Sequence, residues 1–470
     1  MAMQLFNHSS GKNGSPWVNL MRDGKANKIL IVAIDIGKYT HKTLMTNVYQ
    51  DVLVPPFELD ASQTGFKLLV AKIEEVCHAN GFEEVVVGIE TTAHYYEDLV
   101  RFCYEKGYVV RVINAATTAF ERQSLLNWSK TDNIDLSAII HSILQGRGNP
   151  VVQPAKTLEA LKKLTRFRRN MVGNRTRLNN QRLMLMDHIF REFQGKSVWV
   201  KGKRIHRKPF STLDSKSVFY LMRHHPHPED ILHLGEDGLY ELSKTENLKL
   251  RKSAIDCLIE FAKESASKPK EYLEAELYQL EMTLDSMELI SDQLKMLEMK
   301  IEELLLQTDG ARLLSIPGIG LVMAAELRAE MGALESFTHA GQLIKMAGTN
   351  PIVKQSGGHQ ATHGGISKQG RQQFRNAVYL VGQVCSAMNP ELRKHYLALK
   401  DKGKKTRQAY IAIGNRVLRM AFAILRDNNF YRSPDPAYSL KSQIERKLTT
   451  KKARQQFYTQ YVIRDAQLVS

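Results

Sequence analysis

The sequence predicts an α/β amino-terminal domain followed by a mostly α-helical remainder. Short, apolar, β-branched runs alternate with helix-periodic segments up to about residue 155, which is typical of a domain built on a central sheet. Beyond that point, helical spacing of Leu and Met dominates the chain. The chain has 470 residues, of which 43% are hydrophobic, so two or three domains with their own cores are expected.

The first third of the chain contains four predicted strands. The run from Ile29 to Ile36 is short and apolar, which predicts a buried strand, and an alternating strand follows through about Val48. Helical periodicity then extends from Gly65 to Cys77. The segment "EEVVVGIETTAHYYEDLV" predicts a buried strand ending in Glu90 and then a helix, and "GYVVRVIN" predicts a further strand.

Acidic residues stand at the ends of two of these strands and at the start of a helix. Asp35 and Glu90 each end an apolar strand, where an uncompensated carboxylate costs several kcal/mol. "SKTDNIDLSAII" predicts a helix from about Thr131, and Asp132 and Asp135 are three residues apart on one face of it. These two acids alone could simply stabilise the helix amino terminus. The four acids together favour a site for Mg²⁺, which prefers carboxylate and phosphate oxygens.

The middle of the chain begins with a strongly basic helix, "LEALKKLTRFRRNMVGNRTRLNNQRLMLMDHIF". Few acids accompany its cations, which favours a polyanion partner over a solvated face. We predict nucleic-acid contacts for Lys162, Lys163, Arg166, Arg168, Arg169, Arg175, Arg177 and Arg182. "GKSVWVKGKRIHRK" predicts a basic loop or hairpin, and "RHHPHPED" predicts a turn rather than a metal site.

Residues 246–307 are predicted to be helical, with a break near Pro269. Leu and Met recur there at near-heptad spacing among acids and lysines. This pattern indicates an antiparallel or intermolecular coiled coil, and an ordinary bundle helix is the alternative.

The carboxyl-terminal third contains two glycine-rich segments. "LLSIPGIGLVMAAEL" predicts a helix-hairpin-helix in which Gly318 and Gly320 present backbone N–H groups to a phosphate, or else a tight turn between packed helices. In "PIVKQSGGHQATHGGISKQGRQQFR", Pro351 is expected to end a helix and the glycines to form a loop that a ligand can approach closely. From residue pattern alone Ser356 is more typical of a turn residue than of a nucleophile. Its neighbours Lys354, Lys368 and Arg371 could stabilise negative charge, but no activating base is identifiable.

The charge balance points to an acidic partner. The formal net charge is +17, with a pI near 9.5, which favours nucleic acid and leaves mere solubility as the alternative. No apolar run approaches the roughly 20 residues that span a bilayer, and the amino terminus does not resemble a signal peptide. Four scattered cysteines predict reduced core residues in a cytoplasm rather than a zinc site.

Two sets of motifs carry a family resemblance. DxG on the first strand, GIE on a later one and KTDxxD at a helix start resemble the DEDD-type RuvC-like (ribonuclease H fold) domain of Piv-like insertion-sequence transposases, the bridge-RNA-guided recombinases. QSG followed by "GGISKQGRQQFRNAVYLV" is similar to the carboxyl-terminal domain of the same family. The resemblance extends from about residue 29 to 431, and "GKSVWVKGKRIHRK" is a candidate insertion.

The resemblance implies a site and a mechanism. Asp35, Glu90, Asp132 and Asp135 would hold two Mg²⁺ ions, and Ser356 would be the nucleophile. It further implies a DNA recombinase guided by a bridge RNA that pairs with donor and target DNA, acting as a dimer or tetramer, cytoplasmic and nucleoid-associated. A RuvC-like structure-specific endonuclease without a covalent intermediate, or an inactive nucleic-acid-binding relic, are the alternatives.

The resulting domain prediction has six parts. They are an amino-terminal tail (1–28), a RuvC-like DEDD domain (29–155), a basic helical and linker region (156–245), coiled-coil helices (246–307), a transposase domain with the serine (308–432) and a carboxyl-terminal tail (433–470).

Overall fold

A computed structural model describes residues 26–91, 94–124, 131–150, 155–200, 203–354 and 362–463. The chain divides into two compact units. The first consists of residues 1–155 with 333–342, and the second consists of residues 156–332 with 343–470.

The first unit is built on a six-stranded mixed sheet with the strand order β3-β2-β1-β4-β5-β6. The strands are β1 (Ile29–Ile36), β2 (Thr40–Thr46), β3 (Val52–Asp60), β4 (Glu84–Glu90), β5 (Val109–Ile113) and β6 (Asn149–Pro150). The central neighbours β1, β4 and β5 are parallel, whereas β2, β3 and β6 join antiparallel. The four predicted strands are present, and β3 and β6 are two further strands that the sequence pattern did not identify.

Four α-helices in the described part of residues 1–155 accompany the sheet. They are α1 (Gln63–Asn80), α2 (Glu97–Glu105), α3 (Ala115–Ser124) and α4 (Asp132–Leu144). Ser62 caps the start of α1, and Gly81 ends it at φ 69°, a left-handed conformation that glycine adopts without strain. Helix α3 occupies a segment for which the sequence pattern predicted no element.

Alternation along β1 divides the core between the two faces of the sheet. Leu30, Val32 and Ile34 pack with apolar residues of α1 and α2 on one face. Ile29, Ile31 and Ala33 pack with α4 on the other. The side chains at odd-numbered positions of β1, including Asp35, therefore lie on the face of the sheet that α4 covers.

Gly88 allows α4 to lie close to the sheet. A Cβ at this position would come within 2.3 Å of Ile143 Cδ1 and 3.0 Å of Ile139 Cγ2, both on α4. Any larger residue would force the helix away from β4. The glycine of the GIE segment thus sets the distance between α4 and the end of β4.

The second unit is mostly helical. Its helices in the middle of the chain are α5 (Lys156–Ile189), α6 (Lys216–His224), α7 (Pro228–Thr245), α8 (Lys252–Lys263) and α9 (Glu274–Leu305). The long helices α5 and α9 pack along each other. Near the end of α5 and the start of α9, helices α6, α7 and α8 join them in one apolar core around Phe190, Leu221 and Phe261. The predicted helical middle and the break near Pro269 are present.

A two-stranded hairpin interrupts these helices. It consists of β7 (Lys196–Val200) and β8 (Lys203–Arg207), in agreement with the predicted loop or hairpin. In the following "RHHPHPED" segment, buried His227 caps the start of α7 through Nδ1. That role agrees with the predicted turn.

The carboxyl-terminal part continues with α10 (Leu321–Met331), α11 (Ala340–Ala347), the hairpin of β9 (Pro351–Lys354) and β10 (Thr362–Ile366), and α12 (Gln372–Met388), α13 (Pro390–Asp401), α14 (Thr406–Arg426), α15 (Leu440–Lys447) and α16 (Lys451–Tyr458). The sequence predicts that Pro351 ends a helix, but α11 ends at Ala347 and Pro351 opens β9. Gly364 and Gly365, predicted to lie in the glycine loop, are part of β10, whereas Gly357 and Gly358 lie outside the described residues.

The segment 433–470 is predicted to be a tail, yet its described part packs into the second unit. Phe457 and Tyr461 are buried, and the Tyr461 hydroxyl donates to the carbonyls of Leu306 or Thr308 at 2.8 and 2.7 Å. Lys447 Nζ donates to the carbonyls of Leu314 and Ile316, and burial lowers the pKa of Lys447 to about 7. These contacts connect residues more than 100 positions apart, which a local pattern does not encode.

No helix in the described residues combines the length and apolar character needed to cross a membrane.

Candidate active site

The candidate site lies at the carboxyl ends of β1 and β4. These strands are parallel neighbours, with Ile34 opposite Ile89, so the next residues in register are Asp35 and Glu90. Both side chains lie on the α4 face, because they follow Ala33 and Gly88 by two positions. The strand pairing thus places two acids from distant parts of the chain side by side.

Helix α4 adds two more carboxylates. Thr131 caps the helix by accepting a hydrogen bond from the Ile134 N–H, so Asp132 and Asp135 occupy its first turn. Asp135 is buried, whereas Asp132 is exposed. All four predicted acids are brought together in this way.

The electrostatics of Asp35 reflect this convergence. Burial and the negative charges of Glu90, Asp135 and Asp132, in that order, raise the pKa of Asp35 to about 6. Each of the other three acids therefore lies close enough to oppose ionisation of Asp35.

Three further side chains hold these acids, and sequence reasoning missed them. Thr118 Oγ1 lies 2.8 Å from Glu90 Oε2 and 3.0 Å from the Ala115 carbonyl oxygen, so its one proton is donated to the carboxylate or shared between these two acceptors. Arg122 forms an ion pair with Asp135. Thr118 and Arg122 are four residues apart on α3 and so share one helix face. Predicting a helix for "AATTAFERQS" would have placed Thr118 and Arg122 on one face. Nothing in the local pattern, however, indicated that Glu90 and Asp135 are their partners.

Lys42 extends this set from the neighbouring strand. It lies opposite Asp35 in the β1–β2 register, and its Nζ is 3.7 Å from Asp132 Oδ2. Protein cations thus contact both acids of α4.

The four carboxylates are of a type that binds divalent cations, although their present positions do not form a complete coordination site. Four carboxylates that repel one another and raise the pKa of Asp35 are a suitable ligand set for a hard cation. Among the described residues, no three Asp, Glu, His or Cys side chains converge closely enough to hold an ion as they stand. As the site stands, Lys42 contacts Asp132 and Arg122 contacts Asp135.

We predict that Thr118→Val weakens metal binding by about 10- to 100-fold, the typical effect of losing a partner that orients a metal-binding side chain. Valine keeps the shape of threonine but cannot donate to Glu90. The measurement is a Mn²⁺ titration of the full chain followed by electron paramagnetic resonance. Thr117→Val, at the neighbouring position of α3, is the matched control, and Thr118→Ser should restore affinity. Equal Mn²⁺ affinity for Thr118→Val and Thr117→Val would refute the orienting role.

Ser356 lies outside the described residues. It belongs to residues 355–361, which connect β9 to β10. Lys354 ends β9, and its side chain is likewise not described. The nucleophilic role of Ser356 therefore stays a prediction.

The base of this hairpin is fastened to the rest of the second unit. Thr349 Oγ1 donates to Asn415 Oδ1 at 2.6 Å, and Asn415 Nδ2 donates to the Thr349 carbonyl at 3.1 Å. Lys368 is exposed, at φ 55°, and Arg371 Nη1 donates to the Glu330 carbonyl at 3.2 Å. The Arg371 guanidinium thus forms at least one hydrogen bond within the protein.

The predicted helix-hairpin-helix has a packing role at Gly318. This residue has φ 92°, and a Cβ there would lie 3.2 Å from both Cys385 Sγ and Met388 Cβ on α12. Gly320 precedes α10 with open space around it. Asp309–Ser315, before the turn, is a 3₁₀ helix rather than an α-helix. Phosphate contact by Gly318 and Gly320 stays a prediction.

The basic helix α5 is better balanced by acids than its own sequence indicates. Arg166 binds Glu330 of α10 through two nitrogens at 2.6 and 2.9 Å, and Arg169 binds Glu326 at 2.8 Å. Arg168 pairs with Glu298 of α9. These three arginines therefore have acidic partners in the folded chain, contrary to the prediction that few acids balance this helix.

Arg182 also has a structural role. Its side chain is 1% exposed, and it donates to Asp214, Asn179 and the Leu213 carbonyl. A guanidinium buried in this way does not reach a phosphate, so Arg182 is removed from the predicted nucleic-acid surface.

The remaining predicted cations of α5 differ in exposure. Lys162 is half-buried, and Lys163 forms an ion pair with Glu159 one turn earlier. Arg175 and Arg177 are exposed. These two arginines and the exposed Lys163 are therefore the accessible cations of α5 within the predicted surface.

Two family models match the chain. Residues 32–191 match a transposase model of the DEDD IS110 type, and residues 310–397 match a model described as the IS116/IS110/IS902 transposase family. The first match contains the four acids, and the second contains Ser356.

Individual relatives give a consistent result. The chain is 34% identical over 126 residues to an uncharacterised 43.6 kDa protein of insertion element IS110 from Streptomyces coelicolor, covering 27% of this chain and 31% of the relative. It is 23% identical over 332 residues to an uncharacterised 44.8 kDa protein of IS116 from Streptomyces clavuligerus, covering 69% and 77%. It is 31% identical over 117 residues to a pilin gene-inverting protein of Moraxella bovis, covering 25% and 36%. The first and third of these matches span only about a third of the relative.

Proposed function

Because the chain carries both transposase domains of the IS110/IS116/IS902 family, we propose that it is the DNA recombinase of an insertion sequence, acting in the cytoplasm on nucleoid DNA. The observation that carries the proposal is the convergence of Asp35, Glu90, Asp132 and Asp135 at one edge of the sheet. We infer from the DEDD resemblance that the domain has the RuvC-like fold.

The four carboxylates would hold two Mg²⁺ ions. Such ions stabilise charge on the attacking and leaving oxygens of a phosphodiester exchange. Thr118 would orient Glu90, and Arg122 and Lys42 would neutralise the acids of α4.

Ser356 would supply the nucleophile. Its Oγ would form an ester bond with a DNA phosphorus while the bond from phosphorus to the leaving DNA oxygen breaks, and that oxygen would take up a proton. A second DNA hydroxyl would then displace the serine, restoring its proton. The phosphoserine–DNA ester keeps the energy of the broken strand, so resealing needs no ATP.

A bridge RNA would choose the DNA sites by base pairing, with the protein contacting backbone and shape. The net charge of +17 is consistent with binding of RNA and DNA together. We propose that the exposed Arg175 and Arg177 of α5 form part of this binding surface.

We predict that Arg175→Gln with Arg177→Gln lowers the salt dependence of nucleic-acid binding by about 0.7 to 0.9 in log–log slope for each phosphate that these arginines neutralise in the wild type. Both side chains are exposed, so their replacement should leave folding intact. Arg166→Gln with Arg169→Gln is the contrasting pair, because it breaks ion pairs to α10 and should lower the melting temperature. Binding would be followed by fluorescence anisotropy at several salt concentrations. If the Arg175/Arg177 variant keeps the wild-type slope, this surface lies elsewhere.

We also propose that α9 pairs with a second copy of the chain. Met282, Leu289 and Met296 are seven residues apart, and they are 51%, 59% and 60% exposed. Residues at this spacing form one stripe, the pattern of a coiled-coil seam. The opposite face of α9, with Leu284 and Leu294, is buried in the second unit.

We expect Leu289→Lys to convert the oligomer, a dimer or tetramer, into a smaller species, because a charge in the seam is not solvated. Sedimentation velocity would detect the change. Glu281→Lys, a change of charge outside the seam, is the control. An unchanged sedimentation coefficient for Leu289→Lys would contradict this interface.

A strand-exchange assay tests the whole proposal against its alternatives. The chain would be purified with its RNA and mixed with two DNA duplexes and Mg²⁺. Joined products and a detergent-resistant protein–DNA adduct are expected. Cleavage without an adduct would favour the endonuclease, and no cleavage would favour the binding relic.

A further inference from the structure

The β7–β8 hairpin carries a set of side chains that the proposed chemistry does not use. Residues 196–208 contain six Lys or Arg and no Asp or Glu. They also contain Trp199, whose side chain is 74% exposed. An aromatic ring so exposed beside cations is accessible to a partner molecule.

The strand register groups these residues by face. Trp199 lies opposite Arg204, and Ser197 lies opposite His206. Directly opposed residues share a face of an antiparallel pair, and residues two apart on one strand share it too. Ser197, Trp199, Arg204 and His206 therefore form one surface, which we call the Trp199 face. All four are exposed, and Ser197 Oγ and His206 Nδ1 are 3.5 Å apart.

The opposite face fastens the hairpin to α8. Lys196 Nζ is 2.5 Å from Glu264 Oε2, and Arg207 Nη1 is 2.7 Å from Glu260 Oε1. The Arg207 guanidinium also lies 5.7 Å from the Phe261 ring. These contacts orient the hairpin and engage the nearby acids. Within the described residues, no carboxylate forms an ion pair with Arg204.

We propose that the Trp199 face binds unpaired nucleotides of a nucleic-acid strand. Trp199 stacks on a base, and Arg204 holds the adjoining phosphate. An aromatic platform beside cations is the combination that single-stranded nucleic acid requires, because every base has a stacking face and every linkage a charge. This inference rests on the proposed function only in that the chain acts on nucleic acid.

Charge argues against a second copy of the chain as the occupant. Protein interfaces are depleted of lysine, and a hairpin with six cations and no acid would repel the same hairpin of another copy. An anionic lipid surface would also attract cations beside a tryptophan, so vesicles form one arm of the test.

The experiment uses the full chain and a labelled poly(dT) strand of about 20 nucleotides, with a duplex of the same length for comparison. Trp199→Ala should weaken binding to poly(dT) about tenfold, the scale of one lost base stack, and affect the duplex much less. Trp199→Phe should retain most of the affinity. Ile205→Ala is the matched control, because Ile205 lies on the opposite face and is 46% exposed.

Quenching of tryptophan fluorescence provides a second readout. Poly(dT) should quench the wild-type protein more than Trp199→Phe, because the other tryptophans, Trp17 and Trp128, remain in both. Equal poly(dT) affinity for wild type, Trp199→Ala and Ile205→Ala would overturn the assignment while leaving the recombinase proposal intact. A loss confined to the duplex, or to phosphatidylserine vesicles, would overturn it in favour of that ligand. Failure of the wild type to bind any oligonucleotide would instead count against the proposed function itself.

Discussion

Ser356→Ala is expected to abolish strand exchange, with a loss of about 10⁴-fold or more, and to eliminate the covalent protein–DNA adduct. A nucleophile that forms a bond in the reaction has no substitute when its oxygen is removed, so the loss should be far larger than for a residue that only positions others. Binding of nucleic acid should persist, because one small polar atom is removed. Ser356→Cys should retain weak activity, since a thiolate is nucleophilic but differs from an alkoxide in size and in affinity for phosphorus.

The measurement traps the reaction on labelled DNA, digests the protein and locates the modified peptide by mass spectrometry. Ser367→Ala is a matched control, because Ser367 lies beyond β10 and donates to Asn350 within the protein. An adduct on another residue, or full exchange by Ser356→Ala, would remove Ser356 from the mechanism. Metal-dependent cleavage with no adduct in the wild type would favour the endonuclease.

Asp35→Asn is expected to reduce metal-dependent cleavage by about 10³-fold or more and, without metal, to stabilise the first unit by on the order of 1 kcal/mol at pH 7 after allowance for solvent screening. The two effects have one cause. Asp35 lies beside three other carboxylates, and the repulsion between their negative charges destabilises the fold unless a bound cation neutralises it. A neutral side chain of the same size removes both the repulsion and one of the proposed carboxylate ligands.

The pH dependence gives a sharper test of this repulsion. The folded-state pKa of Asp35 is about 6, above its ordinary value of 3.8, so between these values the folded chain binds more protons than the unfolded chain. The contribution of Asp35 to stability therefore falls as pH rises from about 4 to 6 and stays low above that range. Urea unfolding with EDTA at about pH 4.5 and pH 7 should show the difference between wild type and Asp35→Asn growing toward pH 7. Asp98→Asn, on the exposed surface of α2, should show no such growth. A difference independent of pH would mean that the acids do not interact as the geometry indicates.

Local patterns determined much of the first unit and its acids. The strand from Ile29 to Ile36 and the strand ending at Glu90 were predictable, because apolar runs of this length have few other structures available. Thr131 marked the start of α4, because a capping side chain and the first turn it caps are neighbours in sequence. The order of the four acids is therefore evident from the chain itself.

Only the tertiary structure decided which groups surround those acids. Thr118 and Arg122 come from a helix whose sequence pattern is weak, and their partners Glu90 and Asp135 lie 28 and 13 positions away. The parallel pairing of β1 with β4 placed Asp35 beside Glu90, and Gly88 set how closely α4 approaches.

Contacts between distant segments also changed the interpretation of the basic helix α5. Its cations indicated a polyanion partner, but Arg166 and Arg169 meet acids 164 and 157 positions away on α10. Likewise, the segment after residue 433 has the pattern of a tail, yet Lys447 and Tyr461 bond with carbonyls of residues 306–316. Periodicity and capping depend on neighbours within a few residues, so sequence determines elements and their termini. Ion pairs and helix docking depend on which distant segments the fold brings together, so only the folded chain separates cations that stabilise it from those left to bind a partner.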